Sequence, residues 1–142
     1  MVSSNVKGFD YSVKVVMLGN FGSGKTSLHQ VFYYGQLNSD YGCLIQPDFF
    51  MKVYTMNDNK RLRLMVWDTA SQERFNHGKM IPSYYRGAVA AIVVFDITDF
   101  ESFRAVAVSW LKDLKEACKA TASIFLVGNK SDCEEKRAVK RD

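Results

Sequence analysis

The chain has 142 residues, 47% of them hydrophobic and 24% charged, and this composition is typical of one compact globular domain over residues 1–142. A formal net charge of only +4, with mostly scattered basic residues, disfavours nucleic-acid binding. No secretory signal opens the chain, and its longest apolar run, residues 88–95, is too short to span a bilayer. A soluble, cytoplasmic protein is therefore expected.

The first predicted strand, over residues 13–18, is apolar and β-branched, as expected of a strand buried on both faces. It leads into residues 19–26, G-N-F-G-S-G-K-T, which fit the phosphate-binding pattern G-x-x-x-x-G-K-[ST]. Apolar residues at helical spacing follow, at Leu28, Val31 and Phe32. A glycine-rich loop between a strand and a helix is the context in which this pattern binds phosphate.

The chemistry of this loop explains the residue types in it. Gly22 and Gly24 let the backbone curl so that its N–H groups point inward, and the curl opens onto the positive end of a helix. Lys25 adds a positive charge for the β and γ phosphates, and the Thr26 hydroxyl is an oxygen ligand suited to Mg²⁺. The loop therefore predicts a nucleotide site with magnesium.

Further strands and one long helix follow along the chain. Residues 49–56 and 61–68 flank the polar turn at residues 57–60, which predicts an antiparallel hairpin. Residues 88–95 and 124–127 are predicted to be two more buried strands. A helix between them begins with a capping box of Thr98 and Glu101. Its apolar stripe predicts core packing for seven residues: Phe103, Val106, Ala107, Trp110, Leu111, Leu114 and Cys118.

This alternation predicts an α/β fold with a doubly wound, mainly parallel sheet and one antiparallel edge strand. In such a sheet the ligand crevice lies at the carboxyl ends of the strands. Two more polar motifs follow predicted strands and should meet the phosphate loop there. They are W-D-T-A-S-Q-E at residues 67–73 and N-K-S-D at residues 129–132.

Each of these motifs suggests a specific contact. Asp68 ends a strand, in the position of the carboxylate that holds Mg²⁺ directly or through water in phosphate-loop proteins. The Asp132 carboxylate can accept two hydrogen bonds from the N1–H and 2-amino groups of guanine, and adenine lacks that pair of donors. A site built on such bonds rejects the analogue by about 10⁴-fold or more. Taken alone, N-K-S-D is an ordinary polar turn.

The three motifs, in this order, resemble the Rab branch of the Ras-like small GTPases, which have the P-loop NTPase fold. Residues 82–88 (PSYYRGA) and 94–99 (VFDITD) are also similar to family segments, and the resemblance covers roughly residues 12–141. It implies a GTP/GDP-binding protein of vesicle trafficking, with effectors, exchange factors and activating proteins as partners. It further implies that Gln72 orients the attacking water and that Lys25 assists catalysis.

The resemblance also supplies the remaining site residues. Asn129 would hold the loops and the base edge, and the alkyl stem of Lys130 would lie over the base. The implied metal ligands are Thr26 and Asp68. The implied nucleotide-binding set is Gly22, Ser23, Gly24, Lys25, Thr26, Ser27, Asp68, Asn129, Lys130 and Asp132.

Four residues depart from the family pattern. Leu44 stands where a threonine ligates Mg²⁺ in the GTP state, and leucine has no side-chain oxygen. Phe21 replaces a small residue near the γ-phosphate, Ser71 replaces a glycine, and Leu37 replaces a phenylalanine against the base. Phe21, Leu44 and Ser71 together predict slow hydrolysis. The alternative is a nucleotide-binding pseudo-GTPase or interaction module without effective hydrolysis, whereas an ATP-using enzyme is disfavoured by N-K-S-D.

Relatives continue beyond the position of Asp142 through further elements and a prenylated tail. Direct membrane anchoring is therefore not expected of this form, and endomembrane association would need a longer form or partners.

The remaining residues with reactive or basic side chains suggest no second site. The cysteines lack paired or metal-ligand spacing and are expected to be reduced thiols; they are Cys43, Cys118 and Cys133. His29 and His77 are expected to be surface or packing residues. A basic cluster near the end is interpreted as a solvated face; it consists of Lys136, Arg137, Lys140 and Arg141.

Overall fold

The computed structural model describes residues 8–37, 49–68, 85–117 and 122–141. The strands are β1 (Tyr11–Leu18), β2 (Phe49–Thr55), β3 (Arg61–Asp68), β4 (Ala88–Asp96) and β5 (Ser123–Asn129). The helices are α1 (Lys25–Tyr34), α2 (Phe100–Ala105) and α3 (Leu111–Ala117), with a π-helical turn (Val106–Trp110) joining α2 to α3 and a 3₁₀ helix (Ser131–Lys136) after β5.

The five strands form one sheet in the order β2-β3-β1-β4-β5. β1 pairs in parallel with β3 and β4, and β4 pairs in parallel with β5, whereas β2 is antiparallel to β3. The predicted mainly parallel sheet with one antiparallel edge strand is therefore confirmed, as is the hairpin. The carboxyl ends of β1, β3, β4 and β5 all lie at one edge of the sheet, where parallel strands of this kind bind ligands.

Alternating side chains of the central strands supply a core on each face of the sheet. On one face, Val16, Leu18 and Val93 pack with Trp110 and Leu114 from the helix that runs from α2 to α3. On the other face, a smaller cluster of Met17, Val66 and Val94 is joined by Leu28 of α1 and other partly buried residues. None of the helices in the described ranges combines the length and apolar character that a membrane crossing requires.

The long helix differs from its prediction in two details. Its N-cap is Asp99, whose side chain accepts a hydrogen bond from the Glu101 N–H, while Thr98 instead bonds to the Asp96 carboxylate. The predicted Thr98 capping box is therefore wrong. Ala107 is exposed, because the buried face follows a four-residue spacing: Ser102, Val106, Trp110 and Leu114.

The π-helical turn explains this spacing. The Leu111 N–H bonds to the Val106 carbonyl five residues back. In a regular α-helix, positions four apart drift by about 40° per step around the axis. One wider turn compensates for that drift and keeps Trp110 and Leu114 facing the sheet.

β5 also differs from its prediction. The strand forms as expected, but Ile124, Phe125 and Leu126 are 43%, 56% and 53% exposed. β5 lies at the end of the strand order, and so the described part of the chain leaves much of its apolar side-chain surface uncovered. Apolar composition predicted the strand correctly and its burial wrongly.

Candidate functional site

The phosphate loop, residues 19–26, connects β1 to α1 through backbone that only glycine adopts easily. Gly24 has a φ of 91°, and a Cβ there would overlap the Asn129 side-chain amide. Gly19 has a φ of 138°, and a Cβ there would overlap the Val94 carbonyl oxygen. Both glycines are therefore required by close approach as well as by backbone angle.

Lys25 is buried inside this loop, with only 2% of its surface exposed. Its ammonium donates hydrogen bonds to the backbone carbonyls of Gly19 at 2.6 Å and of Asn20 at 2.9 Å. A buried charge needs such partners, because moving an unpaired charge out of water costs on the order of several kcal/mol. The two carbonyls thus hold a positive charge within the curl of the loop.

A hydroxyl and a carboxylate meet beside the loop. The Thr26 Oγ1 donates to Asp68 Oδ2 at 2.6 Å, joining the first turn of α1 to the carboxyl end of β3. Two adjacent oxygen donors fit Mg²⁺, which takes few protein ligands and keeps water and phosphate oxygens for the rest. Among the described residues, no group of three or more His, Cys, Asp or Glu could hold a metal ion.

Asn129 ties the phosphate loop to the end of β5. Its side-chain N–H donates to the Ser23 carbonyl at 2.9 Å, and Ser23 itself is 1% exposed. Trp110 also supports the loop, since its indole N–H donates to Asn20 Oδ1 at 3.0 Å. The first and last predicted motifs are therefore in direct contact.

Asp96 is a residue that the sequence reasoning left without a role. Its carboxylate accepts from the Lys130 ammonium at 2.5 Å and from both the backbone N–H and the hydroxyl of Thr98. Burial alone would raise the pKa of the Asp96 carboxyl, but the bonds from Lys130 and Thr98 outweigh it and lower the pKa. The position of Asp96, at the carboxyl end of a buried strand, was the signal available in the sequence.

The Asp96–Lys130 pair fixes the backbone that leads to Asp132. Lys130 has a left-handed φ of 64°, after which the 3₁₀ helix begins. Asp132 lies in that helix with an exposed side chain, and its carboxylate is 3.5 Å from the Cys133 thiol. The following segment is anchored by the Ala138 and Val139 N–H groups, which both donate to the Ile97 carbonyl.

The basic cluster near the end is not a uniform solvated face. Arg137 forms two hydrogen bonds to the Glu134 carboxylate, at 2.7 and 2.8 Å, and Arg141 approaches the same carboxylate at 3.1 Å. Lys136 and Lys140 are exposed. Two of the four basic residues are thus paired within the chain.

The other candidate residues are distributed as follows. Ser27 is exposed on α1, Phe21 at the tip of the loop is 67% exposed, and Leu37 is 62% exposed. The predictions for Leu44, Ser71, Gln72 and His77 lie outside the described residues, as do those for Cys43 and Cys118.

His29 also lies close to the site, although the sequence predicted only a surface or packing role for it. It is 1% exposed, and its Nδ1 lies 4.0 Å from Asp68 Oδ2. Its position three residues after Thr26 puts both side chains on the same face of α1, a spacing that the sequence already contained.

Comparison with known proteins indicates the family of the chain. Residues 14–142 match the model of the Ras family. The chain belongs to the Ras family. It is similar to Rab-type proteins, being 41% identical to the Ras-related protein Rab-13 of Rattus norvegicus and 40% identical to the GTP-binding protein YPT1 of Saccharomyces cerevisiae. It is also 35% identical to the GTP-binding protein ypt4 of Schizosaccharomyces pombe.

These alignments cover nearly all of this chain but not all of the relatives. They include 96% of the chain for Rab-13 and ypt4 and 94% for YPT1. The chain spans 65% of Rab-13, 63% of YPT1 and 58% of ypt4. The fold of the described residues is accordingly that of Ras-family proteins, with the polar side chains at the carboxyl edge of the sheet.

The contact between Gly24 and Asn129 gives a test of the loop. We expect Gly24→Ala to lower the free energy of unfolding more than Gly22→Ala, by about 1–3 kcal/mol, because its Cβ overlaps the Asn129 amide. Gly22→Ala is the matched control, since Gly22 also has a positive φ but a Cβ added there would meet no described atom within 4 Å. Urea denaturation of the nucleotide-free chain measures the free energy of unfolding of both variants. Equal losses of that free energy would contradict the close approach of Gly24 to Asn129.

Proposed function

We propose that this chain binds GDP and GTP with Mg²⁺ and hydrolyses GTP slowly, as a Rab-type protein of vesicle trafficking. The observation that carries the proposal is the bond from the Asn129 side chain to the Ser23 carbonyl, which joins the phosphate loop to the N-K-S-D motif. A nucleotide has its base and its phosphates at opposite ends. A site for a nucleotide therefore needs one structural element for the base and one for the phosphates, held at a fixed distance from each other.

The phosphate end rests on the loop and α1. We expect backbone N–H groups at the N-terminus of α1 to face the phosphates, and Lys25 supplies a buried positive charge. Thr26 and Asp68 are the proposed Mg²⁺ ligands, directly or through water. Mg²⁺, when bound, would neutralise charge on the phosphates, while these residues hold it and Lys25 orients the terminal phosphates.

The base end rests on the loop after β5. Asp132 is proposed to accept hydrogen bonds from guanine N1–H and the 2-amino group. Lys130 keeps its ammonium on Asp96, which leaves its alkyl stem to cover the base. This fixed backbone is the reason we expect selectivity for guanine over adenine.

Replacing Asp132 tests the base end. In Asp132→Asn, the amide N–H faces the 2-amino group of guanine, but it can donate to the 2-carbonyl of xanthine. We expect the affinity for GDP to fall about 100-fold or more and the affinity for xanthosine diphosphate to rise. Equilibrium titration with both nucleotides measures this.

Glu135→Gln is the matched control, because it removes a charge from the same 3₁₀ helix without a proposed base contact. Its affinity for GDP should stay within about twofold of the unmodified chain. Unchanged GDP binding by Asp132→Asn would show that the base is read elsewhere.

A second candidate function is a nucleotide-holding interaction module without effective hydrolysis. The observation that favours it is Phe21, whose ring is 67% exposed in the phosphate loop and is proposed to crowd the place of the γ-phosphate and Gln72. Leu44 and Ser71 point the same way from the sequence. Such a module would act through a surface that does not depend on the nucleotide state.

Single-turnover phosphate release from the GTP-loaded chain separates the two candidates. We expect slow release above buffer, a faster rate in Phe21→Ser, and a rate about 100-fold lower in Gln72→Leu because the attacking water loses its positioning. If the unmodified chain releases no phosphate and Phe21→Ser restores release, the interaction module is the better description.

Regulators and effectors of the Rab type are proposed partners, with no nucleic acid among them. β2 offers a surface for them, since Phe49, Met51 and Val53 are 40%, 47% and 42% exposed along the edge of the sheet. Phe49 also stacks on Trp67 at 4.7 Å between ring centroids. An apolar edge of this kind is suited to protein contact.

We propose a cytoplasmic location, with endomembrane association through such partners or a longer form.

A further inference from the structure

We propose that His29 is a positioning residue that holds the Asp68 carboxylate in place for Mg²⁺, and so sets how strongly Mg²⁺ retains the nucleotide. The inference rests on the proposed function. It adds a residue that neither the sequence motifs nor the comparisons assign to the site.

The first observation is convergence on one oxygen. Thr26 and His29 leave the same face of α1, and both face Asp68 Oδ2, at 2.6 Å from the Thr26 hydroxyl and 4.0 Å from His29 Nδ1. The longer distance is outside hydrogen-bond range but within direct electrostatic range. A metal bound at Thr26 Oγ1 would engage the oxygen of that hydroxyl, and His29 Nδ1 is a second polar atom near the same carboxylate oxygen.

The second observation is that the imidazole is buried with both nitrogens lacking a hydrogen-bond partner within the described residues. Unpaired buried polar atoms are rare because each costs about 1–3 kcal/mol. The ring also borders an apolar cavity of about 330 Å³, whose other lining residues include Leu28, Phe32 and Val127. The other side chains that line this cavity are apolar, and the polar groups near the imidazole are the Asp68 carboxylate and the Val66 backbone.

The third observation is that packing fixes the ring. Phe50, which is 8% exposed, meets His29 edge to face with 4.4 Å between ring centroids, and Tyr33 stacks on Phe50 at 4.5 Å. The imidazole therefore cannot swing away from Asp68 without disturbing this aromatic group. A side chain locked by packing can hold a metal-binding carboxylate in one orientation, as outer-sphere partners of metal sites do.

Burial also disfavours the charged form of the ring. Loss of water lowers the pKa of the His29 imidazole below its usual value, and the Asp68 carboxylate and the Val66 backbone offset only part of that shift. A neutral imidazole carries one N–H. Facing a carboxylate, the favoured tautomer has that hydrogen on Nδ1.

The test is the Mg²⁺ dependence of GDP release. The chain is loaded with methylanthraniloyl-GDP, and release into excess GDP is followed over a series of free Mg²⁺ concentrations. We expect His29→Leu to raise the Mg²⁺ concentration for half-maximal retention about tenfold, since outer-sphere partners contribute about 10- to 100-fold to metal affinity. The release rate without Mg²⁺ should not change.

Two amide variants separate positioning from packing. The Asn side-chain N–H falls near the place of Nδ1, so the Mg²⁺ midpoint of His29→Asn should stay within about twofold of that of the unmodified chain. The Gln side-chain N–H reaches toward the place of Nε2, so the midpoint of His29→Gln should rise as in His29→Leu. Leu28→Ala removes packing from the same cavity and should leave the Mg²⁺ midpoint unchanged. If His29→Leu does not fold, the comparison of His29→Asn with His29→Gln carries the test.

Two results would overturn the proposal: an unchanged midpoint in His29→Leu, or equal midpoints in His29→Asn and His29→Gln. Imidazole ¹⁵N shifts give an independent readout, and a hydrogen on Nε2 rather than Nδ1 would also overturn it. The proposed function fails separately, when the unmodified chain does not bind GDP or releases it at a rate independent of Mg²⁺.

Discussion

The structure depends on one constraint: the phosphate loop must curl tightly while carrying a buried positive charge. Lys25 is held by two carbonyls of its own loop, and the loop is in turn held by the Asn129 amide at the Ser23 carbonyl. A side chain at position 24 would have to displace this amide. The glycine, the lysine and the asparagine therefore form one arrangement, even though they come from opposite ends of the chain.

The sheet makes that arrangement possible. Parallel pairing of β1 with β3 and β4, and of β4 with β5, brings Asp68, Asp96 and Asn129 to the same edge as the loop. Each of these polar groups then pairs with a residue that follows another strand or begins a helix: Asp68 with Thr26, Asp96 with Lys130, and Asn129 with Ser23. The pairs fix the geometry of the edge while limiting the cost of burying polar groups.

Much of this was predictable because local patterns carry it. The strand, glycine loop and helix at residues 13–32 have distinct residue types, and the turn at residues 57–60 marks the hairpin. The predictions that were wrong concern burial, which depends on tertiary packing. Apolar residues at positions 124–126 predict a strand, but not that this strand lies at the edge, since strand order is a property of the whole sheet. The exposure of Ala107 follows from one π-helical turn, which a 3.6-residue period does not anticipate.

The site shows the same division. Motifs indicated Lys25, Thr26, Asp68 and Asn129 as candidates but not Asp96 and His29, because those two contact charged side chains far away in sequence. His29 has no polar residue of a motif beside it; only the fold brings it to Asp68 and locks it against Phe50. Asp96 can be recognised only from a structure. His29 can be recognised from a structure or from its helical spacing relative to Thr26.

The most direct measurement of the central claim is equilibrium binding of GDP, ADP and GMP to the unmodified chain in the presence of Mg²⁺. A loop and a base site held together predict tight GDP binding, ADP weaker by about 10⁴-fold, and GMP weaker by about 100-fold or more through lost phosphate bonds. Equal binding of GDP and ADP would contradict the base site, and equal binding of GDP and GMP would contradict the phosphate loop.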